Sequence, residues 1–211
     1  MALVKYNNNS LSAVTAASSL PTGAMTLIKS QTASSSSTIN FVHGTSDVVL
    51  DSTYPIYVFK FINIHPATDS AMLQFQVDTG TNTSYNQTIT STNFKAGHSE
   101  VDDEAVLAYR TARDLAQSTS FQSITEGVDN DNDSCATGTL HLFSPASTVF
   151  VKHFISTTQS VINYPETNET FCAGYINTTT AITRVQFKWI VAIWIVEQSN
   201  SMELRIHNGF S

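Results

Sequence analysis

Apolar and polar residues alternate along most of this chain, and the alternation has a period of two. The segment "SAMLQFQVDTGTN" is the clearest case, because every second side chain is apolar and would lie on one face of a strand. Its apolar positions are Leu73, Phe75 and Val77, and its polar positions are Gln74, Gln76 and Asp78. The pattern predicts a strand with one face in a core and the other face in solvent.

The same period recurs through the chain. In "YPIYVFKFINIHPATD", Tyr57, Phe59 and Phe61 share one face, and in "RVQFK" Val185 and Phe187 are predicted to face inward. Further strands are predicted in "AMTLIKSQT", "INFVHG", "YNQTITSTNFKAGH", "TLHLFSP", "TVFVKHFIST" and both ends of "FCAGYINTTTAITRVQFK". About eight to ten short strands joined by turns are typical of an all-β fold. The sequence therefore predicts an antiparallel β-sandwich, jelly-roll-like in form.

One segment, "SEVDDEAVLAYRTARDLAQS", fits two structures. Its acidic residues come first, and Ala, Leu and Arg follow, which is typical of a helix. A strand over Val106–Tyr109 followed by a turn fits the same residues, and the sequence leaves both alternatives open.

Three regions differ in composition. Residues 1–22 are rich in Ala, Ser and Asn and predict a short N-terminal arm, either an attachment segment or a frayed terminus. Residues 23–188 carry the strand pattern and predict one sandwich domain. Residues 189–211 open with eight consecutive apolar residues, from Trp189 to Val196, unlike anything upstream.

The composition narrows the function classes. Charged residues are only 13% of the chain, so Ser, Thr, Asn and Gln must supply the polar surface, as in proteins that work outside cells or on virus particles. A net charge of -7, with Lys and Arg scattered singly, argues against a nucleic-acid partner. The apolar run is shorter than the roughly 20 residues that span a bilayer, so no membrane insertion is predicted. The N-terminus does not resemble a signal peptide.

No enzyme signature occurs in the sequence, and no catalytic residue and no cofactor are predicted. Asp102, Asp103 and Glu104 could supply one carboxylate of a glycosidase pair, but a solvated acidic turn is the preferred interpretation. Cys135 and Cys172 are interpreted as two free thiols, with a single bridge between strands as the alternative.

Two sets of side chains alternate with a spacing that could suit a metal ion: Asp129, Asp131 and Asp133, and His98, Glu100 and Asp102. The first set resembles the start of a calcium loop, but Ser134 replaces the required glycine and Leu140 the required glutamate. A polar loop with Asx turns is preferred for the first set, and an exposed polar face for the second. No metal site is predicted, although an irregular calcium site at the first set stays open.

Aromatic side chains could form a sugar-binding platform on an exposed strand face. The candidates are Tyr54, Tyr85, Tyr109, Tyr164 and Tyr175. The sequence does not distinguish such a platform from core or rim positions. The histidines in strand-like segments, His65, His141 and His153, are interpreted as hydrogen-bonded structural residues.

Several segments together resemble a family of virion structural proteins of marine tailed phages, of the cyanophage or pelagiphage type. The similar segments are "MALVKYNNN", "DVVLDSTYPIYVFKFINIHPATDSAMLQFQV", "DLAQSTSFQSI", "GTLHLFSPASTVFVKHFIS" and "FCAGYINTTTAITRVQFK". The resemblance spans Met1 to Lys188 and carries no functional residues. It implies a non-enzymatic module of a tail or fibre appendage, made in the host cytoplasm and assembled into the virion.

The resemblance also implies partners. These are further copies of the chain, with a homotrimer favoured, other virion proteins, and a host-surface glycan. A carbohydrate-binding lectin-type module and a capsid decoration protein are the alternatives to the appendage.

The C-terminus departs from this family, whose members end in a polar turn and a strand like "IKLYGI". One choice of codons for "KWIVAIWIVEQSNSMEL", with one A restored before the Trp189 codon, reads "KMDSGNMDSGTIKLYGI". The hypothesis is that the residues from Trp189 onward are an out-of-frame tail, produced by loss of one A from a short run.

Overall fold

The structure is a computed structural model that describes residues 25–32, 36–162, 164–190 and 201–206. These residues form strands arranged in two antiparallel sheets. The strands are β1 Thr26–Thr32, β2 Ile39–Val42, β3 Ile56–Ile64, β4 Leu73–Thr79, β5 Ile89–Ser99, β6 Ala105–Tyr109, β7 Gln122–Ser123, β8 Ala136–Phe143, β9 Lys152–Ile162, β10 Glu166–Ile176, β11 Ile182–Trp189 and β12 Ser201–Ile206. The predicted N-terminal arm, residues 1–22, lies outside the described residues.

The two sheets differ in width. The long sheet has eight strands in the order β1-β12-β3-β8-β9-β10-β5-β6, and the short sheet has four in the order β2-β11-β4-β7. Aromatic rings join the sheets across the interior, with Phe59 of the long sheet 5.2 Å from Phe187 of the short one. Phe75 and Phe154 make a similar cross-sheet contact at 4.9 Å. The predicted all-β sandwich is confirmed.

The predicted inward faces are buried. Tyr57 and Phe59 of β3 and Phe187 of β11 are fully inaccessible to solvent. They belong to a continuous core of apolar side chains from both sheets, and this burial supplies the main favourable free energy of folding.

Strand β4 corrects one prediction, because its polar face is buried as well as its apolar face. Gln76 and Asp78 are fully buried. The Gln76 amide donates to the backbone carbonyls of Gln87, Thr119 and Ser120, and Asp78 accepts from the backbone N–H of Tyr85 at 2.9 Å. Loops therefore cover the face that was predicted to meet solvent, and their backbone groups satisfy its hydrogen bonds.

The segment "SEVDDEAVLAYRTARDLAQS", for which the sequence allowed a helix or a strand, contains a strand. Residues Ala105–Tyr109 are β6, which pairs antiparallel with β5 at the edge of the long sheet, and a turn follows. The bond from the Arg113 N–H to the Arg110 carbonyl closes that turn. The helical alternative is therefore wrong.

The inner face of strands β5, β9 and β10 is polar, unlike the aromatic core nearby. Its buried side chains are Ser91, Asn93, Ser156, Thr158, Ser160, Asn168 and Thr170. Residues 110–128 cover this face, where Asn93 donates to the Ser123 carbonyl and Gln122 accepts from the Ser91 hydroxyl. Arg110 binds the buried Glu126 carboxylate through two bonds of 2.6 and 3.0 Å. A buried polar layer therefore lies beside the apolar core.

The C-terminal region contributes to both sheets. Trp189 is the last residue of β11 and is buried. Strand β12 lies between β1 and β3, with Met202, Leu204 and Ile206 turned into the core. Residues 191–200, which hold most of the apolar run, lie outside the described residues. The strands thus continue past the predicted boundary at Lys188, and the out-of-frame origin of the tail stays a prediction.

Candidate functional site on the long sheet

The acidic residues of the β5–β6 turn, Glu100, Asp102, Asp103 and Glu104, are exposed. Strand β5 ends at Ser99, so Glu100 and Asp102 lie in the turn beyond it, and their side chains, like that of His98, are exposed. The His98 Nε2 lies 3.3 Å from the Asp102 Oδ1, and both side chains are exposed. Asp103 accepts a 2.6 Å bond from the Ser99 hydroxyl, and this bond lowers the pKa of its carboxyl. The turn is a solvated acidic turn with local hydrogen bonds.

The loop with Asp129, Asp131 and Asp133 is locally structured. The Asp129 carboxylate accepts from the backbone N–H of Asp131 at 3.3 Å, and the Ser134 N–H donates to the Asp131 carbonyl. Asp131 and Asp133 are exposed. Across the described part of the chain, no group of three or more His, Cys, Asp or Glu side chains could hold a metal ion.

The five candidate tyrosines have different surroundings. Tyr85 is buried, and Tyr54 packs against Tyr57. Tyr109 and Tyr164 are exposed, and each hydroxyl donates to a carboxylate, of Asp114 and Asp103 respectively. Tyr175 lines a groove on the long sheet, and Tyr54 lines a separate, smaller pocket. The structure therefore does not assemble the five into one platform.

The histidines and cysteines have separate environments. His65 is bonded to the Ser134 carbonyl at 2.6 Å, whereas His153 is exposed on the long sheet. Cys135 and Cys172 are free thiols. Burial raises the pKa of the Cys172 thiol to about 12, so this thiol is protonated and unreactive at neutral pH.

A groove of about 700 Å³ crosses the outer face of the long sheet. We call it the outer groove, and its lining residues are Thr92, Phe143, His153, Phe154, Ile155, Ala173, Gly174 and Tyr175. The strand register brings them together, because Tyr175 of β10 lies opposite His153 of β9 and opposite Thr90 of β5. Gly174 lets these strands approach, since a Cβ there would lie 2.3 Å from the Thr90 carbonyl oxygen.

A hydrogen-bonded cluster lies beside the outer groove, with Gln117 at its centre. The Gln117 amide nitrogen donates to the Thr90 hydroxyl at 2.7 Å and to the Tyr175 hydroxyl at 3.2 Å. Its amide oxygen accepts from Asn177 at 2.9 Å. Gln117 has a φ of 49°, which a non-glycine residue adopts only when its surroundings hold it there. These three bonds orient the amide beside the outer groove.

An aromatic pair extends the apolar surface on the same outer face. Phe94 of β5 and Phe171 of β10 stack with ring centroids 4.7 Å apart and an interplanar angle of 12°. Tyr109 lies opposite Phe94 in the register, and Leu107 is 75% exposed nearby on β6. Exposed apolar surface of this kind marks an interaction site more often than a scattered single residue does.

The chemistry of the outer groove suits an uncharged ligand with an apolar face. None of its described lining residues is Asp, Glu, Lys or Arg. Aromatic and aliphatic side chains form the floor, and amides and hydroxyls stand at one side, a common arrangement in small-molecule sites. Sequence reasoning identified Tyr175 but missed Gln117 and Asn177, which are 60 residues apart and carry no local signal.

Within the described residues, no helix is long and apolar enough to cross a membrane. Comparisons of the chain with models of protein families, with curated proteins and with solved structures find no match.

Proposed function

We propose that the protein is a non-enzymatic structural component of a phage virion. In this proposal it is a tail or fibre appendage module, made in the host cytoplasm, that oligomerises and contacts the host surface. The observation that carries the proposal is the order of the strands in the two sheets.

The strand order supports a jelly-roll topology with two insertions. The strands β1-β12-β3-β8 face β2-β11-β4-β7, so that strands from the two ends of the chain pair with each other in both sheets. The hairpins β5–β6 and β9–β10 are added at one edge of the first set and widen the long sheet. Viral capsid and lectin domains use jelly rolls, so the step from fold to particle is an argument by analogy.

The outer face of the long sheet supports association with other copies or with other virion proteins. Leu107, Ile155 and Tyr109 are at least half exposed there, beside the stacked Phe94 and Phe171. Covering such a surface removes apolar area from water, which favours assembly. A homotrimer is the proposed assembly.

Mass spectrometry of purified phage particles tests the virion role. The protein should be present in many copies per particle, and antibody labelling should place it on the tail or fibre. Labelling of the head would favour a capsid decoration protein instead. Light scattering on the purified chain should give three times the mass of one chain. A monomer, together with absence from the particles, would overturn the proposal.

A lectin-type module is the second candidate, because Tyr175 of the outer groove accepts a hydrogen bond from the Gln117 amide beside it. A glycan array should then give binding that Tyr175→Ala and Gln117→Ala abolish. Tyr164→Ala is the matched control, since Tyr164 lies in the β9–β10 turn and is exposed, and its hydroxyl donates to Asp103. Binding that survives both groove substitutions would exclude this site.

A further inference from the structure

A lysine, a glutamate and an asparagine meet inside the polar layer between β5 and β10. The Lys95 Nζ and the Asn168 Nδ2 each donate to the same oxygen, Glu166 Oε1, at 3.0 Å. The two nitrogens are therefore separated by at most twice that distance. The side chains of Lys95 and Glu166 are only 12% and 4% exposed, and Asn168 is fully buried. The cluster is thus held together and shielded from water.

The strand register places these groups on one inward face. Lys95 lies opposite Thr170, and Gly97 lies opposite Asn168, so Lys95 and Asn168 are diagonal neighbours within side-chain reach. Gly97 leaves the space that the carboxylate fills, because a Cβ there would lie 1.8 Å from Glu166 Oε1. The backbone of β5 is therefore shaped around the Glu166 carboxylate.

The carboxamide of Asn168 has a further partner on its oxygen. The Thr170 hydroxyl donates to Asn168 Oδ1 at 3.3 Å. A donor at this atom stabilises negative charge that develops on the oxygen when a nucleophile attacks the carbon. The site therefore combines an amine, a carboxylate that contacts both nitrogens, and a donor for the oxygen.

We propose that Lys95 and Asn168 join in an intramolecular isopeptide bond, with Glu166 as the catalytic residue. A proton passes from Lys95 Nζ to the Glu166 carboxylate, and the neutral amine rotates onto Asn168 Cγ and forms the new C–N bond. The C=O electrons move to Oδ1, beside the Thr170 hydroxyl. When this tetrahedral intermediate collapses, the C=O bond re-forms and the Cγ–Nδ2 bond breaks. Two protons in all pass from Nζ through Glu166 to Nδ2, which leaves as ammonium, and Glu166 ends as a carboxylate.

This reaction needs no oxidant, cofactor or second protein, because the chain holds every reacting group. The product ties β5 to β10 covalently and closes the chain between residues 95 and 168. A closed loop of this length restricts the unfolded chain strongly. The inference goes beyond the proposed function and does not depend on it, since the bond would form in any compartment.

Intact mass and a tryptic digest of the full-length protein test the bond. The mass should be lower than the sequence mass by one ammonia molecule. Trypsin should fail to cut after Lys95, so that peptide 61–110 stays attached to peptide 153–184. Separate peptides 61–95 and 96–110 would overturn the proposal. A loss of ammonia without joined peptides, as from a succinimide, would overturn it too.

Three variants identify the roles. Lys95→Arg keeps the charge but not the nucleophilic amine, and Glu166→Gln removes the proton carrier. Both variants should therefore have the full mass calculated from their sequences, without the loss of ammonia. Asn168→Asp should lose water in place of ammonia. Lys60→Arg is the matched control, because Lys60 lies on β3, and the joined peptides should persist in it. If a variant fails to fold, the wild-type digest still decides the question.

Discussion

The ring of Phe187 lies 5.2 Å from the ring of Phe59 across the two sheets. Phe187 also contacts the rings of Phe41, Phe61 and Phe75 at 5.4 to 6.3 Å. Such edge-to-face and tilted pairs stabilise a core beyond the area that they bury. Phe187 is therefore a central contact between the two sheets of the sandwich.

Replacing Phe187 with Ala should lower the free energy of unfolding by about 3–5 kcal/mol, since a large cavity would replace a fully buried ring. Urea denaturation measures the change. Phe150→Ala is the control, because Phe150 is 72% exposed and its loss should cost less than about 0.5 kcal/mol. Equal losses in the two variants would contradict the central position of Phe187.

The ion pair of Arg110 and Glu126 predicts how one substitution, and then a second, change the free energy of unfolding. Arg110→Met should destabilise the fold by about 1.5–3 kcal/mol, because two charge-assisted bonds to a buried carboxylate are lost. Arg113 stays 3.6 Å from Glu126 and limits the loss. Adding Glu126→Gln to Arg110→Met should restore part of the stability, since the buried charge disappears. A double variant less stable than Arg110→Met would contradict this account.

Tyr57 predicts a loss of stability in alkali. Burial raises the pKa of its hydroxyl from 10.0 to about 12; the bond from the Asp51 backbone N–H opposes this shift, and the Asp51 carboxylate adds to it. Between these values the unfolded tyrosine ionises while the folded one keeps its proton, so rising pH favours unfolding. Below pH 10 the tyrosine is protonated in both states, so the stability of the fold does not depend on its ionisation. Urea titrations from pH 10 to 12 should show a steeper loss for the wild type than for Tyr57→Phe, and parallel losses would refute the prediction.

Removing residues 201–211 should prevent stable folding. Strand β12 lies between β1 and β3 in the long sheet, so its loss leaves β1 without its partner and exposes the edge of β3. Unpaired strand edges and uncovered apolar side chains favour aggregation. Gel filtration of the truncated protein should show aggregates or no soluble material. A soluble truncated protein that unfolds cooperatively, whatever its oligomeric state, would contradict the role of β12.

The out-of-frame hypothesis predicts a different C-terminus in the native protein. Resequencing the A run, or the intact mass of protein from particles, should give the ending "KMDSGNMDSGTIKLYGI". Its last segment alternates apolar and polar residues and should take the place of β12, so the restored protein should also fold. A native mass that includes the Trp-rich tail would exclude the hypothesis.

Alternation alone located most strands, because a side chain on a half-buried strand faces either core or solvent. The residue types within the segment indicate which of the two it faces. It missed β7, since the two residues Gln122–Ser123 are too short to show a period. It misjudged β4, whose polar side chains are covered by the loop that holds Tyr85 and Gln87 and by the more distant Thr119 and Ser120. The acidic residues up to Glu104, followed by Ala and Leu, resembled the start of a helix. The segment instead pairs with β5 and forms strand β6.

The candidate sites depended on tertiary structure far more than the strands did. Tyr175 was recognisable as a candidate, but its partner Gln117 is 58 residues away in the chain. Lys95 and Asn168 carry no common motif, and only the antiparallel register of β5 and β10 brings them to one carboxylate.

The sequence by itself determined the all-β class, the inward faces of the main strands and the low charge of the surface, because these follow from residue type and local period. The tertiary structure decided the strand order, the covered polar face of β4, the outer groove and the Lys95–Glu166–Asn168 cluster. Each of these depends on which strands become neighbours and in what register. Neighbouring strands are selected by the burial of the whole core, a property that no short segment of the chain contains.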